Sequence, residues 1–135
     1  TDEIQAAALR VKLPRLDIDN EHRRQIARKY MNGIKNPMII LPLWPQDDQE
    51  CVWHLFPIRC AERDSLQKYL SEAGVQTLIH YPIAPHKQEA LKHLEHGPLP
   101  LTQRIHEEEL SLPISPIMTE DDAEFVINLL NKFVK

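Results

Sequence analysis

The sequence predicts an α+β fold, in which a small, mostly antiparallel sheet is covered by helices on one face. Three observations support this prediction. Helix-forming segments with apolar stripes lie at both ends of the chain, and short apolar segments with strand character lie between them. Most of the 11 prolines gather in four places, at 37–45, 82–85, 98–100 and 113–116, which we interpret as connections.

Two helices are predicted at the start of the chain. Residues 2–13 are helix-forming and place apolar side chains on one face, and Pro14 should break or kink this run. A second helix is expected to reach about Met31. Each of the three glycines falls just past a stretch with helical character, where a left-handed residue commonly ends a helix. All three are predicted to be helix stops: Gly33, Gly74 and Gly97.

The middle of the chain predicts strand, helix and strand. Residues 38–43 and 50–59 have strand character and are joined by a polar turn, and Pro57 implies an edge position or a bulge in the second strand. A helix follows, with its apolar residues at the i, i+3, i+4 and i+7 spacing: Leu66, Tyr69, Leu70 and Ala73. Alternation at 75–79 then predicts a further short strand.

The last third of the chain predicts short helices at 87–96 and 101–109, a strand at 111–115 and a closing helix. Thr119 and Asp122 have the spacing of a capping box, which marks the start of that helix. The closing helix carries an apolar stripe that is expected to lie in the core: Val126, Leu129, Leu130 and Phe133. Because such a small sheet has a second face, we expect an apolar patch on the isolated chain.

Length and composition are those of one globular domain. The chain has 135 residues, of which 42% are hydrophobic and 27% are charged. Its net charge of −4 argues against charge-driven binding to nucleic acid or to a membrane surface. No segment resembles a membrane span or a signal peptide, so we expect a cytoplasmic protein. Cys51 and Cys60 would lie near opposite ends of one strand, too far apart for a disulfide.

The predicted strand at 75–79 leads into a loop that is rich in histidine and proline. Pro82 and Pro85 should make it stiff and should hold the residues before them, Tyr81 and Ala84, in extended conformations. A stiff loop loses little freedom when a ligand binds. Several of its side chains can donate hydrogen bonds to an anionic or hydroxyl-rich ligand: His80, Tyr81, His86 and Lys87. The alternative is an ordered connection whose histidines only cap backbone groups.

Motifs for catalysis are absent from the sequence. There is no Gly-x-Ser-x-Gly or comparable nucleophile motif and no glycine-rich phosphate loop. The consecutive carboxylates at 107–109 splay around a helix and cannot face one another as an acid and base pair. We therefore predict no catalytic residue in this chain and interpret it as a binding and interface module.

The seven histidines do not form a recognisable metal site. His93 and His96 could share a helix face, but no further ligand completes a zinc spacing, so no metal is expected. His54 is expected to be a core histidine bonded to a neighbour. His22 and His106 lie on charged helices and are expected to be solvated.

A family resemblance extends along essentially the whole chain. Its segments, in order, are DEIQAA (2–7), LRVKL (9–13), NEHRR (20–24), HLFPIR (54–59), RDSLQ (63–67), GVQTLIHYPIAPHKQ (74–88), ELSLP (109–113) and TEDD (119–122). Together they resemble the C-terminal small domain of the DegT/StrS-type sugar aminotransferases. The chain departs from the family pattern at Pro14, Pro57 and Ala84, which affects local geometry more than identity.

This resemblance implies a fold-type I aminotransferase whose small domain is residues 1–135. Residues 1–36 would be the helical segment between domains, and 37–135 the α+β core. In this family, the lysine, aspartate and phosphate cup that hold pyridoxal phosphate precede the segment that starts at Thr1. We therefore expect that the large domain is missing, that no cofactor binds to this chain, and that the chain alone is inactive. The absence of an initiator methionine agrees with this expectation.

The resemblance also implies the activity of the parent enzyme. A homodimer would move an amino group from glutamate to a keto sugar linked to dTDP or UDP, for lipopolysaccharide, another surface polysaccharide or a related amino-sugar product. His80, Tyr81 and His86 would contact the sugar and its diphosphate. The alternative is a free-standing, non-catalytic ligand-binding or regulatory domain with the same fold.

Overall fold

The computed structural model describes residues 2–91, 93–94 and 97–134. Within these ranges the helices and strands, in chain order, are α1 (Glu3–Lys12), α2 (Leu16–Gly33), β1 (Ile39–Ile40), β2 (Phe56–Cys60), α3 (Arg63–Glu72), α4 (Pro100–Glu108), β3 (Glu109–Leu112) and α5 (Glu120–Lys132). The three strands form one antiparallel sheet in the order β1-β2-β3. The prediction of an α+β fold with a small antiparallel sheet is confirmed.

Pro57 lies in β2, which is the central strand of the sheet and not an edge strand. It faces Ser111 of β3 on one side. On the other side, β1 pairs only with Arg59 and Cys60 and ends at Ile40, before it reaches the level of Pro57. Pro57 therefore lies at a local edge of the sheet. No β1 residue stands opposite it, so the N–H that proline lacks is not needed for pairing.

The segment predicted as a strand at 75–79 makes only one bridge to the sheet. Leu78 and Ser111 exchange both backbone hydrogen bonds, at 2.8 and 3.2 Å. This single bridge places the segment on the outer side of β3. The predicted strand lies at the expected position in the chain, but its pairing with the sheet is much shorter than predicted.

The core lies between one face of the sheet and helices α2, α3 and α5. Its largest fully buried side chains are Tyr30, Phe56, Ile26, Ile58, Leu66, Leu70, Leu110, Leu130 and Cys60. Each large apolar side chain that is buried in this way contributes about 1.5–3 kcal/mol relative to its exposed state. The Tyr30 hydroxyl donates to the carbonyl of Pro113 at 2.8 Å, which satisfies its polar end, and burial raises its pKa.

The closing helix follows its sequence pattern closely. Thr119 caps α5, and the Thr119 and Asp122 side chains bond reciprocally to each other's backbone N–H. Val126, Leu130 and Phe133 are buried, and Leu129 packs against the core from a half-buried position. The predicted capping box and core stripe are confirmed.

Helix α1 does not contribute to the core. Asp2 caps it by accepting from the backbone of Ile4 and Gln5, and a 3₁₀ turn at Leu13–Arg15 separates it from α2, as Pro14 predicted. No residue of α1 is buried, and Ile4 is 82% exposed. The large apolar side chains of α1 are therefore mostly exposed: Ile4, Leu9 and Val11.

The second face of the sheet is only partly covered. Pro57 and Arg59 alternate with the buried residues of β2 and so point to this face. Ile40, opposite Arg59, is 47% exposed, and Leu78, opposite Ser111, is 58% exposed. This face therefore exposes the apolar side chains of Ile40 and Leu78.

Two of the predicted elements, the strand at 50–59 and the helix at 87–96, are less regular than expected. Strand β2 begins at Phe56 because a 3₁₀ turn at Asp48–Glu50 and a left-handed backbone at Trp53, with φ of 49°, interrupt the extended chain. Trp53 is buried and stacks on Trp44 with ring centroids 5.0 Å apart. The helix predicted at 87–96 is represented by 3₁₀ turns at Pro85–Lys87 and Glu89–Leu91, and the rest of it lies partly outside the described residues.

No helix in the described ranges combines the length and the apolar character that crossing a membrane requires. Both cysteines are free. Cys60 is buried in β2, whereas Cys51 lies before this strand, so the prediction that one strand carries both was wrong.

Candidate functional site

The candidate site is the loop at 80–86, which follows the bridge between Leu78 and Ser111. Ala84 has φ of −55° and ψ of 139°, the extended conformation predicted for a residue before proline. Tyr81 instead has φ of 55°, so the prediction of an extended backbone there was wrong. This conformation is sparsely populated by residues other than glycine and persists only when the surroundings hold it.

Two side chains from the junction of α4 and β3 hold the backbone of the loop. His106 donates from Nδ1 to the carbonyl oxygen of Tyr81 at 2.6 Å. Glu109 accepts the backbone N–H of His80 at Oε2, at 3.1 Å, and its Oε1 accepts from the Ser111 hydroxyl at 2.7 Å. These contacts account for the left-handed backbone at Tyr81, because they fix the peptide groups on both sides of the His80–Tyr81 bond.

The junction itself is fixed by ion pairs. Glu108, at the end of α4, accepts from Arg104 at 2.8 Å and from Arg59 of β2 at 2.7 and 3.0 Å. These hydrogen bonds lower the pKa of Glu108, Arg104 contributing most. Arg63 of α3 donates to the backbone carbonyl of His106 at 2.7 Å. The end of α4 is thereby bonded to β2 and α3, so the residues that contact the loop are themselves held in position.

The contacts from Glu109 and His106 use main-chain groups of His80 and Tyr81 and leave the two side chains out of these bonds. Tyr81 is 75% exposed. His80 lines a shallow cleft of about 340 Å³, together with Thr77, Ser111 and His54. In the part of the chain that the structure describes, His80 Nε2 and Thr77 Oγ1 are buried atoms without a hydrogen-bond partner. Buried polar atoms are nearly always paired, so these two are candidates for contacts with a polar ligand.

His86 lies apart from His80. It is half-buried in the 3₁₀ turn Pro85–Lys87 and lines a second cleft of about 310 Å³, with Lys87, Leu99 and Gln103 among its neighbours. Of the three residues predicted to contact a ligand, His80 and His86 thus line different clefts. The third, Tyr81, lies between them in the sequence and is exposed. The structure does not bring all three into one pocket.

Sequence reasoning missed the residues that support the loop. His106 and Glu109 were not among the predicted site residues, because their roles depend on contacts with residues far away in the chain. His106 is 25 positions from Tyr81, and Glu109 is 29 positions from His80. The consecutive carboxylates at 107–109 were predicted to splay, and they do contact different partners.

Three predictions for histidines were wrong. His54 is exposed, since the neighbouring Trp53 takes the core position. His22 and His106 are half-buried and hydrogen-bonded to the carbonyls of Met118, at 2.7 Å, and Tyr81. The predicted pair of His93 and His96 includes a residue outside the described part of the chain. Among the residues described, no group of three or more His, Cys, Asp or Glu side chains could hold a metal ion.

The described lysines do not fit a covalent pyridoxal phosphate site. Such a lysine has to lie in a closed pocket beside groups that bind the ring and the phosphate. Lys29 is the only half-buried lysine in the described ranges, and it pairs with Glu120 at 3.3 Å and Glu124 at 3.7 Å. The other described lysines are exposed. No chemical step through this cofactor is therefore assigned to residues of this chain.

The chain matches the DegT/DnrJ/EryC1/StrS aminotransferase family over residues 1–131. It is 49% identical over 132 residues to the dTDP-3-amino-3,6-dideoxy-alpha-D-galactopyranose transaminase of Aneurinibacillus thermoaerophilus, a match that covers 98% of this chain and 36% of that protein. The chain thus spans about a third of the length of this curated relative.

Experimental structures of similar proteins show the same fold. The S. venezuelae protein DesV superposes with a TM-score of 0.90 and 36% identity, over 100% of this chain and 38% of that one. The ntda protein of Bacillus subtilis, whose crystal structure holds the cofactor PMP, superposes with a TM-score of 0.73 and 30% identity, over 84% of this chain and 28% of that one.

Proposed function

The chain belongs to the DegT/DnrJ/EryC1/StrS aminotransferase family, and we propose that it is the C-terminal domain of a sugar-nucleotide aminotransferase that depends on pyridoxal phosphate. The parent enzyme takes an amino group from glutamate and transfers it to a keto sugar linked to a nucleoside diphosphate. One observation carries this proposal: nearly the whole chain matches about a third of a dTDP-sugar transaminase at 49% identity.

In this proposal, residues 1–36 connect the domain to a large N-terminal domain and 37–135 form the small domain. The exposed apolar side chains of α1 support the first assignment, since a helix without a buried residue needs a partner elsewhere. The partly exposed second face of the sheet supports the same arrangement. The large domain supplies the residues that hold pyridoxal phosphate, and the cofactor supplies the electron-withdrawing ring that amino transfer requires.

The loop at 80–86 is the part of this domain that we assign to the substrate. His80, Tyr81 and His86 offer imidazole and phenol groups, which suit sugar hydroxyls and phosphate oxygens. His80 and His86 line separate clefts. A nucleoside diphosphate sugar is an extended ligand with both hydroxyl and phosphate groups, so two separated contact points are compatible with it.

The remaining features of the parent follow from the same family membership. We propose a cytoplasmic homodimer whose product enters lipopolysaccharide, another surface polysaccharide or a related amino-sugar compound. Nucleic acid and membrane are not proposed as partners, in agreement with a net charge of −4.

The test is to express the complete reading frame that contains this chain and to assay it with glutamate and a panel of keto sugars linked to dTDP and to UDP. Amination of at least one of these sugars, with release of 2-oxoglutarate, is expected. A start codon directly before Thr1, or failure to aminate any of these keto sugars when the enzyme binds its cofactor, would instead favour a free-standing ligand-binding or regulatory domain.

A further inference from the structure

We propose that His106 and Glu109 are positioning residues for the ligand-binding loop. By this proposal, His106 and Glu109 hold the main chain of the loop at His80 and Tyr81. The side chains of His80 and Tyr81 are thereby kept in place for the substrate. The inference rests on the proposed function for the identity of the ligand. It concerns contacts made by two residues that were not among the predicted site residues.

The first support is the number and order of the contacts. Ser111 binds both backbone groups of Leu78, Glu109 accepts the N–H of His80, and His106 donates to the carbonyl of Tyr81. The entrance of the loop is therefore held at three positions within four residues. Each contact uses a main-chain group of the loop and leaves its side chain out of the bond.

The second support is the backbone of Tyr81. A left-handed conformation costs energy for a residue with a Cβ atom, and something in the surroundings has to offset this cost. The contact between His106 Nδ1 and the Tyr81 carbonyl is short, at 2.6 Å, and His106 lies on a helix end that Arg63 also ties down. Without this donor, Tyr81 has no described contact that favours the positive φ angle.

The third support is the orientation of the Glu109 carboxylate. One oxygen accepts from His80 N–H and the other accepts from the Ser111 hydroxyl, so both oxygens are used within the loop and its supporting strand. A carboxylate that accepts from two donors is a strong anchor. His80 lines the cleft, and its Nε2 is a buried atom without a hydrogen-bond partner among the described residues.

The experiment compares disruptive and conservative variants in the full-length enzyme. His106→Ala and Glu109→Ala remove the contacts. His106→Asn keeps an N–H donor near the Nδ1 position, and Glu109→Gln keeps an acceptor for His80 and a polar contact to Ser111. Glu107→Ala is the matched control, because Glu107 is exposed and its described contact is with Gln103 on the same helix.

Each variant is measured in two ways, by the KM for the sugar nucleotide and by the φ angle of Tyr81 in a crystal structure. We expect His106→Ala and Glu109→Ala to raise the KM about tenfold, the size expected for one lost hydrogen bond, while the glutamate half-reaction keeps its rate. His106→Ala should also return Tyr81 to a negative φ. His106→Asn and Glu109→Gln should stay within about twofold of the original KM.

The proposal is overturned if His106→Ala keeps both the KM and the positive φ angle, or if the conservative variants lose as much as the alanine variants. If one alanine variant fails to fold, the other alanine variant and the two conservative variants decide in the same way. His80→Ala separates this proposal from the proposed function: an unchanged sugar KM in that variant argues against substrate binding by the loop, whereas the Tyr81 φ angle still reports on positioning.

Discussion

Gly33 and Ile127 approach so closely that a Cβ atom on Gly33 would lie 2.8 Å from Cδ1 of Ile127. Gly33 is the last residue of α2, and Ile127 lies in the middle of α5. Among the described glycines, only Gly74 has a positive φ angle, of 84°. Packing against Ile127 therefore disfavours a side chain at Gly33. The predicted helix stop lies at the correct residue, since α2 ends at Gly33, but the backbone there is not left-handed.

This contact predicts the effect of Gly33→Ala. The added methyl group would overlap Ile127, and overpacking of this kind typically destabilises a protein by about 1–3 kcal/mol. Ile127→Val removes the nearest atom, so the double variant should recover part of the loss. Urea unfolding of the single and double variants measures this coupling. Gly97→Ala is the control, since a Cβ there meets nothing within 4 Å. A Gly33→Ala variant with unchanged stability would contradict the packing argument.

The ion pairs of Glu108 predict a pH dependence of stability. Hydrogen bonds from Arg104 and Arg59 lower the pKa of Glu108 from its usual 4.5. A lowered pKa in the folded state means that the ionised group stabilises the fold above its unfolded pKa, and that this contribution is lost as the pH falls through the lowered value. Glu108→Gln should therefore be less stable than the original chain at pH 7, and the difference should shrink below about pH 4.5.

Urea unfolding from pH 7 down to pH 3 tests this expectation. The control is Glu107→Gln, because the exposed Glu107 contacts only a neighbouring glutamine side chain among its described partners. A stability difference between the original chain and Glu108→Gln that stays constant over this range would show that the Glu108 charge does not stabilise the fold.

Local signals predicted much of the fold. Pro14 marked the break between α1 and α2, and Thr119 with Asp122 marked the start of α5, because caps and prolines act on residues next to them. The stripe of α5 followed from helical periodicity. The extent of the strands could not be predicted from local signals. Trp53 has a left-handed backbone that depends on burial against Trp44 and Phe56.

The sequence indicated which loop to consider as the candidate site, but it did not indicate the geometry of that loop. The order of donors and prolines indicated the loop at 80–86. The sign of the φ angle at Tyr81 could not be predicted, because it depends on His106, which folding brings from the far end of α4. The separation of His80 and His86 into two clefts likewise depends on tertiary packing.

The partly covered sheet face predicts association of the isolated chain. Ile40 and Leu78 expose apolar surface there, so the chain should bind a hydrophobic dye and scatter more light than a monomer. The double variant Ile40→Thr with Leu78→Thr should reduce both signals, whereas Val134→Thr, at an exposed position near the C-terminus, should not. Equal dye binding by the original chain and the double variant would assign the effect to another surface.

Apart from the ion-paired Lys29, the described lysines are exposed, which predicts that the 135-residue chain binds pyridoxal phosphate only weakly and without preference. Incubation with the cofactor, borohydride reduction and peptide mapping should show no lysine modified in stoichiometric amount. The chain should also fail to convert glutamate. The full-length enzyme is the positive control. One lysine of this chain trapped at full occupancy, or turnover of glutamate by the chain alone, would contradict the assignment of cofactor binding to an N-terminal domain.

In the full-length enzyme, substitutions in the loop should separate the two half-reactions. His80→Ala and His86→Ala should each lower kcat/KM for the sugar nucleotide about tenfold to hundredfold, since a hydrogen bond to a charged group contributes about 1.5–3 kcal/mol. Tyr81→Phe should cost less, because it removes one exposed hydroxyl. The glutamate half-reaction should keep its rate, as these residues are assigned to the sugar and its diphosphate. Stopped-flow measurement of each half-reaction is the test, with the exposed His93→Ala as control. Unchanged sugar kinetics in all three loop variants would make the loop an ordered connection whose prolines only shape the chain.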